Sequence, residues 1–183
     1  MVYGLEAITV PENISSNLIY WESSNKSIDV SNEAVIWATD GVDDNSVAFA
    51  ARLMEQDVQV RIIDKEASLS GYNLSRGSVA IISMDNPNIT NLNEIVSEVA
   101  SELNISIVSL DSGFGPEELP DWGGRHFRLL KKPQIAILSH SGFSSYDVGV
   151  SWWSLDHHLG IRHSQLNSSL TGYGDLRRYN TII

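Results

Sequence analysis

From residue 33 onward, short apolar runs alternate with longer stretches in which apolar positions recur every three or four residues. "EAVIWATD" (33–40) and "VQVRIID" (58–64) are compact apolar runs. The segment between them, "DDNSVAFAARLMEQD", has helical spacing, with Val47, Ala50, Ala51 and Met54 recurring on one face and Asp43 or Asp44 placed to cap the free amides. "GSVAIISMD", "NITNLNEIVSEVASELN" and "ISIVSLD" repeat the alternation, with Leu92, Ile95, Val96, Val99 and Leu103 in phase on the second helix. Continuous Val/Ile runs mark strands covered on both faces, and helices between them imply a parallel sheet with right-handed crossovers. The expected fold is therefore α/β: a mostly parallel sheet with helices on both faces, flavodoxin-like or glutamine amidotransferase-like, in one piece or as two small α/β units.

Punctuation sets the boundaries. Residues 1–32 read as a strand-and-loop lead-in, with β-favouring pieces at Glu6–Val10 and Leu18–Trp21 interrupted by Pro11 and Asn/Ser clusters. Residues 33–130 form the first expected unit. The Gly- and Pro-rich residues 111–133 read as a long surface connection between the two units, with "PEEL" (116–119) as the first turn of a short helix. The second unit, 131–183, opens with the strand and helix of "QIAILSHSGFSSYDVGVSWWSLDHHLG" (134–160), continues through a short strand at Ile161–Leu166, and closes on "RRYNTII". That unit reads as truncated: ending on an apolar run leaves a sheet edge and face that further chain or a partner would cover.

Charge narrows the function classes. The 183 residues carry a net charge of −11, with 12 basic residues scattered apart from pairs such as Lys131-Lys132 and Arg177-Arg178. No basic stripe is available to neutralise phosphates, so nucleic acid is not an expected partner. No apolar run is long enough to span a bilayer. With no cysteine, thiolate nucleophiles and thiolate metal sites are excluded for these residues.

The turn "SHSGFSSY" (139–146) holds the candidate chemistry. Ser141, Gly142, Ser144 and Ser145 lie between strand and helix, where backbone amides face an anion and where a nucleophile elbow would sit. The spacing is not Gly-x-Ser-x-Gly, and one glycine replaces the three of a dinucleotide fingerprint. Ser144 or Ser145 fits more simply as the N-cap of the following helix, with Asp147 in its first turn. The four residues are kept as ligand-binding candidates and none is assigned as catalytic. No metal site is assigned either. None of the five histidines begins a His-x-x-Glu pair, and adjacent His157 and His158 point about 100° apart on a helix. Trp152 shares a face with Val148, Leu155 and Leu159 and reads as core; Trp122, in a Gly/Pro loop, reads as a lid over a seam or as an exposed contact.

The landmarks Asp111-Ser112-Gly113, Leu130–Pro133, the 139–146 turn, Trp152 and Arg178-Tyr179-Asn180 occur in an order that resembles the region C-terminal to the peptidase domain in bacterial zinc carboxypeptidases of the carboxypeptidase A-like class. With "AVIWATDGVDDNSVAFAARLMEQDVQVRIIDKE" and "RGSVAIIS" upstream, the likeness covers most of residues 33–183. It also resembles a class I glutamine amidotransferase-like region, whose nucleophilic cysteine this chain lacks. The resemblance implies a non-catalytic accessory segment that positions substrate or contacts a peptidase domain of the same parent. That parent would be a zinc metallocarboxypeptidase, secreted or periplasmic, with zinc only in its separate peptidase domain. A stand-alone small-ligand module using the 139–145 turn and a serine hydrolase-like site stand as the alternatives.

Overall fold

The computed structural model describes residues 26–116 and 119–183. The expected strands at 6–10 and 18–21, and the two glutamates of "PEEL", lie outside the described residues. A five-stranded sheet, a three-stranded sheet and a two-stranded hairpin organise the described residues. The first contains β1 (Ile36–Thr39), β2 (Arg61–Ile63), β5 (Val79–Ile82), β6 (Val108–Leu110) and β7 (Phe127–Leu129), in the order β6-β1-β5-β2-β7. Helices α1 (Asn45–Glu55) and α2 (Leu92–Leu103) connect β1 to β2 and β5 to β6.

This sheet overturns the expected parallel architecture, because β1 pairs antiparallel with both β5 and β6, and β2 antiparallel with both β5 and β7. β1 and β2 do run in the same direction, but β5 lies between them; β5 and β6 likewise straddle β1. The two strand-helix-strand units therefore interlock as split β-α-β motifs rather than following one another along a parallel sheet. A flavodoxin-like or glutamine amidotransferase-like sheet is not what these residues form.

The apolar runs still report two-sided burial, and their second cover explains the difference. β1 and β5 are buried at every position. Trp37, Val79 and Ile81 face the helices, packing with Phe49, Ala50, Leu53, Val96 and Val99. Ile36, Ala38, Ala80 and Ile82 face the other way, onto Ala67, Leu69 and Leu74. Those three belong to a hairpin, β3 (Ala67–Leu69) and β4 (Tyr72–Leu74), in a stretch whose sequence predicts a Gly-containing loop. Ser70 and Gly71 at its tip have φ of 47° and 82°, the positive pair that a two-residue type I′ connection needs. A hairpin layer thus does what a second helix layer would do in a parallel fold.

Among the named strands, parallel pairing occurs in the smaller sheet, ordered β10-β8-β9, where β8 (Ile135–Ser139) lies between β9 (His163–Asn167) and β10 (Thr181–Ile182). Helix α3 (Ser145–Trp153) and a wider π turn at Ser154–Leu159 connect β8 to β9. Ala51 of α1 packs with Ile135, Ile137, Leu155 and Ile161. α1 thus has one face on each sheet, which is why Ala48, Phe49, Ala50, Ala51 and Leu53 are buried while Val47, expected on the apolar face, is exposed. Its amino end is served by Asp43, whose carboxylate accepts from the Asn45 amide at 3.1 Å; Asp44 makes no side-chain cap bond.

Residues 111–133 are more ordered than a surface connection. β7 adds to the edge of the large sheet, and Trp122 packs against the hairpin-side core with its ring on Gly113 and its amide donating to the Gly113 carbonyl at 3.0 Å. The expected boundary near residue 130 falls between β7 and β8.

Candidate functional site

β8 ends at Ser139, and the chain then reverses through His140, Ser141, Gly142 and Phe143 into α3. The Phe143 amide donates to the His140 carbonyl at 3.1 Å, and Gly142, third in that turn, has φ of 91°, a value that glycine adopts without cost. His140 has φ of 75°, in the left-handed region that side chains rarely occupy. Adjacent strand residues point to opposite faces, so Ser139 and His140 would ordinarily diverge. The left-handed turn instead sets the buried Ser139 Oγ 2.8 Å from His140 Nδ1, with the Leu166 carbonyl of β9 3.3 Å from the same hydroxyl.

The four candidate residues divide. Ser144 is the N-cap of α3, its Oγ accepting from the Asp147 amide over a long 3.5 Å. The Ser141 carbonyl accepts from Ser168 Oγ at 2.8 Å, tying the turn to the segment after β9. Gly142 shapes the turn. Ser145 alone of the four lines the adjoining groove of about 360 Å³, together with His140, Phe143, Gly149, Trp152 and Gln165. Ser139, part of the 139–145 turn but not one of the four named candidates, is the serine bonded to a histidine. The signal was the Ser-His pair at the end of an apolar run, which becomes a contact only through a positive φ that sequence does not display.

α3 carries apolar residues on both faces. Toward the small sheet are half-buried Val148 and, beyond the helix, buried Leu155. On the opposite side Tyr146, Val150 and Trp153, at spacings of four and three, are 88%, 67% and 53% exposed. Trp152, expected in the core, is 40% exposed and forms a wall of the groove. The His157 ring packs beside Trp153 with centroids 5.1 Å apart. No group of three or more His, Cys, Asp or Glu side chains is gathered for a metal among the described residues.

At the opposite, amino-terminal end of β8 and β9 a larger hollow of about 570 Å³ lies along the seam with α1. Lys132 Nζ pairs with Asp57 at 2.7 Å, and Arg162 Nε with Glu55 at 2.5 Å. Both pairs fasten the end of α1 to the small sheet. Lys132 holds Asp57 below the ordinary carboxylate range, through its hydrogen bond first and its charge second. Asn180 closes the same end: its Oδ1 accepts from the Gln134 amide at 2.9 Å and its Nδ2 donates to the Lys132 carbonyl at 3.0 Å. Asp111 has a comparable holding role at the other sheet, accepting from Ser70 Oγ at 3.0 Å at the hairpin tip.

No family model, no curated protein and no solved structure matches the chain. What the site can do follows from its geometry. An exposed aromatic helix face and a small groove without a carboxylate, ammonium or guanidinium sit side by side on α3, beside a backbone turn held in a costly conformation. No histidine bonds to Ser141, Ser144 or Ser145 among the described residues, so the arrangement that would activate one of them as a nucleophile is not assembled there.

Proposed function

We propose that this chain is a non-catalytic accessory segment that works by contact, docking on a peptidase domain of the same parent protein and positioning that domain or its substrate. The supporting observation is α3. α3 has apolar residues on two sides, and only the Val148 side packs on the small sheet among the described residues. Tyr146, Val150 and Trp153 make up a compact exposed patch, and aromatic residues of this kind anchor protein interfaces. The resemblance described above supplies the kind of partner. In that reading zinc chemistry belongs to the peptidase domain, and this segment holds no cofactor of its own.

The test is titration of the 183-residue chain with the peptidase domain encoded in the same reading frame, followed by calorimetry. Saturable binding is expected, weakened at least tenfold by the Tyr146→Asp/Trp153→Asp double variant, or by about 1.4 kcal/mol or more. Thermal unfolding should stay within a few degrees of wild type, since both side chains face solvent. A surrounding reading frame without a His-x-x-Glu peptidase domain would refute the proposal, as would binding indifferent to both substitutions.

A further inference from the structure

Gly149 sits in the middle of α3, where glycine in place of alanine costs roughly 0.5–1 kcal/mol. Close packing does not require it, because a Cβ built at Gly149 meets nothing within 4 Å. Gly149 also lines the 360 Å³ groove, so a bulky side chain at this position would stand in open space at its border. Two unfavourable choices therefore adjoin one cavity: a helix-interior glycine without a packing role and a histidine held at φ of 75°. Strain of that kind persists where the surroundings over-determine it, and it clusters at ligand-binding sites.

The lining specifies the occupant. Phe143 and Trp152, 45% and 40% exposed, offer aromatic faces across the groove. Ser145 and Gln165 supply a hydroxyl and an amide, and His140 supplies Nε2, because its Nδ1 is engaged by Ser139 Oγ. No carboxylate, ammonium or guanidinium lines the groove. A charged ligand would find no counter-ion there, and a wholly apolar one would leave the imidazole, hydroxyl and amide unpaired. Aromatic walls for carbon-hydrogen faces and neutral hydrogen-bonding groups at the edge match a polyhydroxylated ring. The volume lies at the small end of the range for ligand sites.

We infer that the groove between the 140–143 turn and α3 is a binding site for a neutral sugar ring, with Trp152 as its stacking platform and Gly149 as its floor. This goes beyond the docking role, which uses the neighbouring Tyr146, Val150 and Trp153 side chains, so either can fail without the other.

The test uses the full chain with glucose, N-acetylglucosamine and glucuronate as probes, followed by amide and side-chain NMR shifts. Saturable shifts are expected for at least one neutral sugar, with a Kd on the order of 1 mM. They should concentrate at His140, Phe143, Gly149, Trp152 and Gln165. Gly149→Leu should weaken binding at least tenfold by filling the floor, and Trp152→Ala should do the same by removing the platform. Gly149→Ala, folded and melting no lower than wild type, distinguishes a blocked groove from a damaged helix and should bind more tightly than Gly149→Leu. No saturation by either neutral sugar, tighter binding of glucuronate than of both, or shifts centred elsewhere would overturn the inference.

Discussion

Replacing His140 by glycine and by alanine should reverse the usual order of those two residues. In a helix or strand, alanine stabilises over glycine by about 0.5–1 kcal/mol because glycine has more backbone freedom to lose. At φ of 75° that advantage opposes the clash of a Cβ with the following carbonyl, which costs roughly 1–2 kcal/mol. Both variants lose the bond to Ser139 Oγ, so that contribution cancels in the comparison. The balance leaves His140→Gly more stable than His140→Ala by about 0.5–1 kcal/mol. Urea unfolding, fitted with a shared slope so that midpoints compare directly, measures the difference. Equal stability, or alanine ahead of glycine, would mean that the left-handed turn carries no strain, and the case for His140 as an over-determined position would fall with it.

Three further expectations concern the frame that holds the site. Gly41→Ala should destabilise by about 2 kcal/mol or more, because its Cβ would stand 2.2 Å from the Gly77 carbonyl carbon and only backbone movement can relieve that; a drop in unfolding midpoint checks it. Arg61 joins Asp85 through two bonds of 2.6 and 3.0 Å and donates to the Phe127 carbonyl at 2.9 Å, so a double-mutant cycle of Arg61→Met and Asp85→Asn should give a coupling of about 1–2 kcal/mol, and additivity would contradict it. Asp57 titrates below its ordinary value when folded, so its pairing with Lys132 stabilises above the unfolded-state pKa of about 4 and is lost as pH falls through the folded-state value. Unfolding midpoints of wild type and Lys132→Met should therefore converge as the solution is acidified from about pH 5, and a gap that widens would contradict the pairing.

Burial was legible in the sequence and strand direction was not. "IWAT" and "VAII" are buried at every position, as their apolar runs indicate. An apolar run registers two covered faces without saying whether helices or a hairpin cover the second one. The cue for the hairpin was local: Ser70-Gly71 between Ala67, Leu69 and Leu74, a two-residue tip flanked by alternating apolar positions. The α2 face was readable because that helix has one apolar side, with Leu92, Val96 and Val99 in phase and buried. On α1 the buried faces run through Phe49, Ala50 and Leu53 toward one sheet and Ala51 toward the other, and Val47 lies outside both. At the site, helix capping by Ser144 followed from residue type. The Ser139-His140 contact and the exposed Trp152 depend on a backbone reversal and on the set of the helix, neither of which residue spacing records.

The position of α1 has a mechanical consequence. Ala51 and its neighbours form a wall common to both sheets, reinforced at the seam by Lys132–Asp57 and Arg162–Glu55. Pulling the small sheet away would strip Ile135, Ile137 and Ile161 of cover and leave Glu55 without its cation at the same moment. Force applied to α3 by anything docked on it is thus passed through β8 to α1 and into the large sheet, making that helix the strut on which the two halves bear.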